Sequence, residues 1–210
     1  MRGNYPQALA SLLEAERLDP SEPTIQNNLG LTYFVREKYD DAEVHFKKAL
    51  KIKANYTDAR NNLGQLYIKV GLYAKAITEL EIASTDLTYE QPEKSWAGLG
   101  QAYFLSKQYQ RAKVAFQNSL KVRRESCFTM NYYGRTLFEL QNFKAAAESL
   151  DRAVQLCAQG GVDEPRFYSG LSFYKLGDVE QARARFTELV KLTPESRYAK
   201  EAKELLGMLQ

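Results

Sequence analysis

Arg60-Asn61-Asn62-Leu63-Gly64-Gln65-Leu66-Tyr67-Ile68-Lys69-Val70-Gly71-Leu72-Tyr73-Ala74-Lys75-Ala76 is the stretch that decides the fold. Arg60, Leu63, Gly64 and Tyr67 fall three, four and seven residues apart, which is one face of a helix. Ala76 then opens a second helical pattern with Leu80 and Ala83. The stretch therefore reads as a helix, a turn and a second helix. It also returns on a fixed beat. Glycine falls at Gly30, Gly64, Gly100, Gly134 and Gly170, spaced 34, 36, 34 and 36. Alanine falls at Ala8, Ala42, Ala76, Ala112, Ala146 and Ala182, spaced 34, 34, 36, 34 and 36. A period near 34 residues is that of one helix-turn-helix unit, so the expected architecture is an all-α solenoid. Solenoids are usually binding surfaces, so a partner is easier to infer than a reaction.

Aligned on the beat, first helices are expected near 23–36, 57–70, 93–106, 127–140 and 163–176. Second helices are expected near 5–18, 39–52, 73–86, 109–122, 143–157 and 179–192. The first-helix pattern is Gln26-Leu29-Gly30-Tyr33, then Arg60-Leu63-Gly64-Tyr67, then Trp96-Leu99-Gly100-Tyr103. It loosens to Met130-Tyr133-Gly134-Leu137 and Arg166-Ser169-Gly170-Phe173. Glycine and alanine mark the closest approach of paired helices, and the flanking aromatics fill the wider gaps. Residues 197–210 read as a capping helix whose apolar stripe is Ala199, Ala202, Leu205, Leu206 and Leu209.

The chain has 210 residues, 44% of them apolar, enough for a sizeable core strung out along the repeats. A net charge of +3 and a pI near 8.7 are mild, and no long run of one sign points to nucleic acid or an anionic membrane. Lys121, Arg123 and Arg124 sit at a helix end, where cations complement the dipole. No apolar run approaches the roughly 18 residues of a membrane span. Met1 to Ala8 aligns with the turn and second helix of a repeat, so we expect a fragment whose natural N-terminus lay upstream.

Residues for catalysis are missing. The one histidine, His45, reads as a partly exposed helix residue and not as a base or ligand. No His/Cys/Asp cluster has metal-ligand spacing, and Gly160-Gly161 reads as a helix break, not a phosphate loop. The expectation is a non-enzyme with no catalytic residue, no cofactor and no metal. Cys127 opens the first helix of the fourth unit and Cys157 ends its second. Antiparallel packing lets these ends meet within the Cα separation of about 7 Å that a bridge needs. A disulfide and a pair of reduced, half-buried thiols both remain open, because the compartment decides.

These residues resemble the tetratricopeptide repeat (TPR), and the resemblance covers essentially the whole chain. It implies a right-handed TPR solenoid of antiparallel helix pairs with a C-terminal capping helix. The single domain, 1–210, divides into a half-repeat at 1–22, repeats at 23–56, 57–92, 93–126, 127–162 and 163–196, and the cap at 197–210. Four stretches narrow the resemblance: Asn55 to Gly64, Leu87 to Pro92 before Trp96, Cys127-Phe128, and Leu156-Cys157 with Glu164-Pro165. They are similar to the type IV pilus pilotins, the PilF/PilW/Tgl group. That resemblance implies an outer-membrane lipoprotein on the periplasmic face, which helps the pilus secretin reach the membrane and assemble. It also implies an oxidising compartment and so a Cys127–Cys157 disulfide. The membrane contact would be an N-terminal lipid that no residue of this chain carries.

In such solenoids the first helices line the concave side. Candidate groove residues are Asn27, Asn28, Leu31 and Phe34, then Asn61, Asn62, Gln65 and Ile68. Further along come Lys94, Gln101 and Phe104, then Phe128, Asn131, Arg135 and Phe138, and finally Tyr168, Leu171 and Tyr174. Asparagine amides bond a peptide backbone without reading its sequence, and aromatics anchor apolar side chains. The expected occupant is a segment of the secretin subunit, apolar on one face, bound by a monomer. The alternative is a cytoplasmic adaptor in which Lys94 and Arg135 clamp a partner's C-terminal carboxylate.

Overall fold

The computed structural model describes residues 5–158 and 162–209; the expected break at Gly160-Gly161 lies outside them. The described residues form helices and no strand: α1 (Tyr5–Leu18), α2 (Pro23–Val35), α3 (Tyr39–Ile52), α4 (Thr57–Lys69), α5 (Tyr73–Ser84), α6 (Pro92–Leu105), α7 (Tyr109–Val122), α8 (Cys127–Glu139), α9 (Phe143–Leu156), α10 (Glu164–Lys175), α11 (Val179–Leu192) and α12 (Arg197–Met208). Each helix end lies within two residues of its expected position. Two compact units result, α1–α6 ending at Ser106 and α7–α12 beginning at Lys107. In the first, α2 pairs with α3 and α4 with α5, while α1 packs on α2 and α6 on α4 and α5. In the second, α8 pairs with α9 and α10 with α11, while α7 packs on α8 and α12 on α10 and α11.

The repeat glycines explain the pairing. A Cβ placed on Gly30 would lie 2.6 Å from Phe46 Cδ1, and one on Gly64 would lie 2.5 Å from Leu80 Cγ. In the second unit, one on Gly134 would lie 2.6 Å from Leu150 Cγ and one on Gly170 2.5 Å from Phe186 Cε1. Phe46, Leu80, Leu150 and Phe186 all have no exposed surface. Each stands four residues after a repeat alanine, one helical turn away on the same face. The second helix thus lays one large side chain directly on the backbone of the first. Full burial of each such residue contributes about 1.5–3 kcal/mol.

The turns share a second device. Seven residues after each repeat glycine the backbone has positive φ: Glu37 at 58°, Gly71 at 78°, Lys107 at 61°, Gln141 at 59° and Gly177 at 78°. The next amide then closes the helix by bonding five residues back, as in Lys38 N to Tyr33 O at 3.0 Å and Asn142 N to Leu137 O at 2.9 Å. At the other end of the chain, Ser196 caps α12 by accepting from Ala199 N at 3.1 Å. Ala199, Ala202, Leu205, Leu206 and Leu209 pack with Phe167, Phe186 and Leu189, which is the expected cap stripe.

His45 corrects one expectation. It is 9% exposed, stacked on Tyr33 with ring centroids 5.3 Å apart. Burial is tolerated because Nδ1 donates to Gln26 Oε1 at 2.8 Å, while Gln26 Nε2 donates to Glu16 Oε1 at 3.0 Å. The three residues form one relay from α3 through α2 to α1. Desolvation holds the imidazole below its ordinary pKa, so it is neutral at pH 7.

Two substitutions test these points. Gly30→Leu should cost about 1–3 kcal/mol in urea unfolding, because the site has no room for a side chain. Gln141→Gly should stabilise by about 0.5–1 kcal/mol, since glycine meets no Cβ penalty at positive φ. A lowered unfolding midpoint for Gln141→Gly would contradict the turn analysis.

Candidate protein-binding surface

The candidate residues divide between the two units, and within each they separate into surface and interior. In the first unit Asn28 and Lys94 are exposed, and Leu31, Phe34, Asn62, Gln65 and Gln101 are partly so. Asn27, Asn61, Ile68 and Phe104 are buried, at 5%, 8%, 8% and 8% exposure. Their expected outward placement is corrected: all four lie inside the first unit. Asn62 Nδ2 donates to Asn27 Oδ1 at 2.8 Å, so these two amides tie α4 to α2. Gln65 crosses α6 so closely that a Cβ on Gly98 would come within 2.6 Å of its Nε2. Phe34 is partly covered by Tyr39, with ring centroids 5.9 Å apart.

The second unit builds a stack of rings around one cation. Phe128, 42% exposed, lies 4.8 Å from Tyr132 between centroids. The Arg135 guanidinium sits 5.0 Å from the Tyr132 centroid and 5.0 Å from that of Tyr168. Phe138 meets Tyr168 edge-on at 5.6 Å and Phe143 at 5.4 Å. Leu171 is partly exposed, and Tyr174 is 40% exposed on the last turn of α10. Asn131, at 6% exposure, is again an interior residue and not a surface one.

Glu164 organises this cluster, a role that no sequence pattern marks. Its Oε2 accepts from Asn131 Nδ2 at 2.7 Å and from Arg135 Nη1 at 2.8 Å, and its Oε1 accepts from the Tyr198 hydroxyl. One carboxylate thereby joins α8, α10 and α12. Burial, and then the bond to Glu164, push the Tyr198 phenol above its ordinary pKa. Arg135 is thus engaged inside the fold by a carboxylate of its own chain, which removes half of the Lys94–Arg135 pair that a carboxylate clamp requires.

Cys127 and Cys157 are joined, with Sγ atoms 2.08 Å and Cα atoms 5.1 Å apart. The bond ties the first residue of α8 to the residue closing α9. Among the described residues no cluster of His, Cys, Asp or Glu could hold a metal ion, and no helix is long and apolar enough to cross a membrane.

Models of the tetratricopeptide repeat match residues 23–56, 57–83, 93–126 and 166–196, and a further TPR repeat model matches 2–35. The type IV pilus assembly protein PilF of Pseudomonas aeruginosa is 26% identical over 165 residues, 79% of this chain. The match spans 64% of that relative's length. The solved structure of Pseudomonas aeruginosa PilF superposes with a TM-score of 0.83 at 24% identity, covering 97% of this chain and 90% of that one. The structure of PilW, described as a widely conserved type IV pilus biogenesis factor, gives 0.85 at 20% identity, covering 94% and 90%. At these identities the structural likeness establishes the fold.

Glu164→Ala should lower stability by about 2–3 kcal/mol, the worth of hydrogen bonds to a partly buried charge. Glu164→Gln, which keeps the shape, should lose less. Reducing the disulfide should lower stability by about 3–4 kcal/mol in the chain-entropy model for a loop of this size, and the thermal midpoint should fall with it. Calorimetry with and without reductant checks the second, and an unmoved midpoint contradicts it.

Proposed function

The chain belongs to the tetratricopeptide repeat family, and we propose that it is a non-catalytic, protein-binding scaffold of the type IV pilus machinery. More narrowly, it is a pilotin-like factor that brings the secretin subunit to the outer membrane and assists its assembly there. The observation that carries this reading is the 26% identity to PilF, sustained over 79% of the chain. The second support is the bonded Cys127–Cys157 pair, which suits an oxidising compartment such as the periplasm. On this reading the protein works at the periplasmic face of the outer membrane.

The surface chemistry fits a protein ligand. Exposed rings at Phe128 and Tyr174 give apolar contact at low entropy cost. In the first unit Asn28 supplies an exposed amide, and Leu31 and Gln65 are partly exposed. A secretin segment with an apolar face and free backbone groups meets both requirements.

The test is a double substitution, Phe128→Ser with Tyr174→Ser, in cells that assemble the pilus. Both side chains are partly exposed, so the melting temperature should fall only by the little that the Phe128–Tyr132 ring contact contributes; the buried Phe104 and Ile68 are unsuitable for this purpose. Loss of two aromatic anchors should reduce secretin multimers in the outer membrane by about tenfold or more. Normal multimer levels with folded variant protein would sink the assignment of this surface.

A further inference from the structure

The break between α5 and α6 does more than connect them. It belongs to a unit of 36 residues where the neighbouring units have 34. Tyr89, on this break, reaches back over the first turn of α4 and donates its hydroxyl to Asp58 Oδ1 at 2.8 Å. Asp86 fixes the near end of the segment by accepting from Thr57 Oγ1, from Thr88 N at 2.9 Å and from Thr88 Oγ1 at 2.6 Å.

Two groups are left worse off by this closure. Asn61, one turn along α4 from Asp58, is 8% exposed; its amide lies beside the Tyr89 hydroxyl, but neither its nitrogen nor its oxygen makes a well-formed hydrogen bond. A buried amide without partners is costly, because it has given up water and received nothing. Asn27, at the same place in its own unit, is paired by Asn62; the residue that would play this part for Asn61 is Gly98, which has no side chain. On the outer side of the break, Leu87 is 99% exposed, an apolar side chain held wholly in water. A ligand segment that displaced Tyr89 would relieve both: its peptide group would pair with Asn61, and its apolar side chain would cover Leu87.

We propose that residues 86–91 form a strap, held shut by the Tyr89–Asp58 bond, and that a partner segment opens it to pair one of its peptide groups with Asn61. The inference rests on the protein-binding role proposed above and names the residue that reads the partner's backbone. The ligand class is an extended polypeptide with an apolar side chain next to an unpaired peptide group. A free carboxylate or other anion fits poorly, because Asp58, Asp86 and Glu90 outnumber Lys53 at this edge.

The test uses the full chain and overlapping synthetic peptides from the periplasmic region of the secretin. Tyr89→Phe removes only the hydroxyl that holds the strap. Without peptide, it should raise amide hydrogen exchange at Thr88, Tyr89 and the first turn of α4. With the peptide that wild type binds, it should raise affinity about tenfold. Asn61→Ala should abolish that gain while leaving the melting temperature equal to wild type or higher, because its amide contributes no bond to the free fold. Unchanged exchange in Tyr89→Phe, equal affinity of Tyr89→Phe and wild type, or a lowered melting temperature for Asn61→Ala overturns the strap. Raised exchange with no peptide bound by either protein supports the strap and counts against the secretin as partner.

Discussion

The closest contact in each helix pair governs the rest of the structure. Phe46, Leu80, Leu150 and Phe186 rest on the backbone at Gly30, Gly64, Gly134 and Gly170, with no space for even one more carbon. Because these residues recur at a fixed distance from the repeat alanine, they set the register of each second helix against its first. With the register set, the residues on the remaining first-helix face have little freedom. Some fall where the next first helix arrives, and others fall on the surface. The same constraint that makes the fold repeat therefore decides which side chains a partner can touch.

Much of this was legible in the sequence because two periods coincide. The helical period places Leu63, Gly64 and Tyr67 on one face, and the unit period brings that face back at Gly30 and Gly134. Helix ends were legible to within two residues for the same reason. The turns were only partly so. Gly71 and Gly177 occupy positive-φ positions, but Glu37, Lys107 and Gln141 occupy equivalent ones without glycine to mark them. Their conformation is imposed by the helices on either side and not by local preference.

The surface was less legible, and the asparagines show why. Asn27 and Asn28 are adjacent and chemically identical, yet one is buried and the other exposed. Which is which depends on the rotation of α2 against α4, and that is a packing result. Glu164 is a similar case: its partners Asn131, Arg135 and Tyr198 come from residues 29 to 34 positions away. A polar residue with partners is part of the scaffold, and one without them is a candidate for binding. By that standard most asparagines of the first helices are scaffold, and the exposed aromatics together with Asn61 are the candidates for recognition.

The bond between Cys127 and Cys157 has a mechanical meaning as well. It short-circuits the chain across the whole α8–α9 pair. A pull applied to the two ends of the protein passes through the sulfurs and bypasses the 30 residue steps between them. About 100 Å of contour length stays hidden from the load. A protein tethered at one end and loaded at the other would keep this helix pair folded after its neighbours had been drawn out.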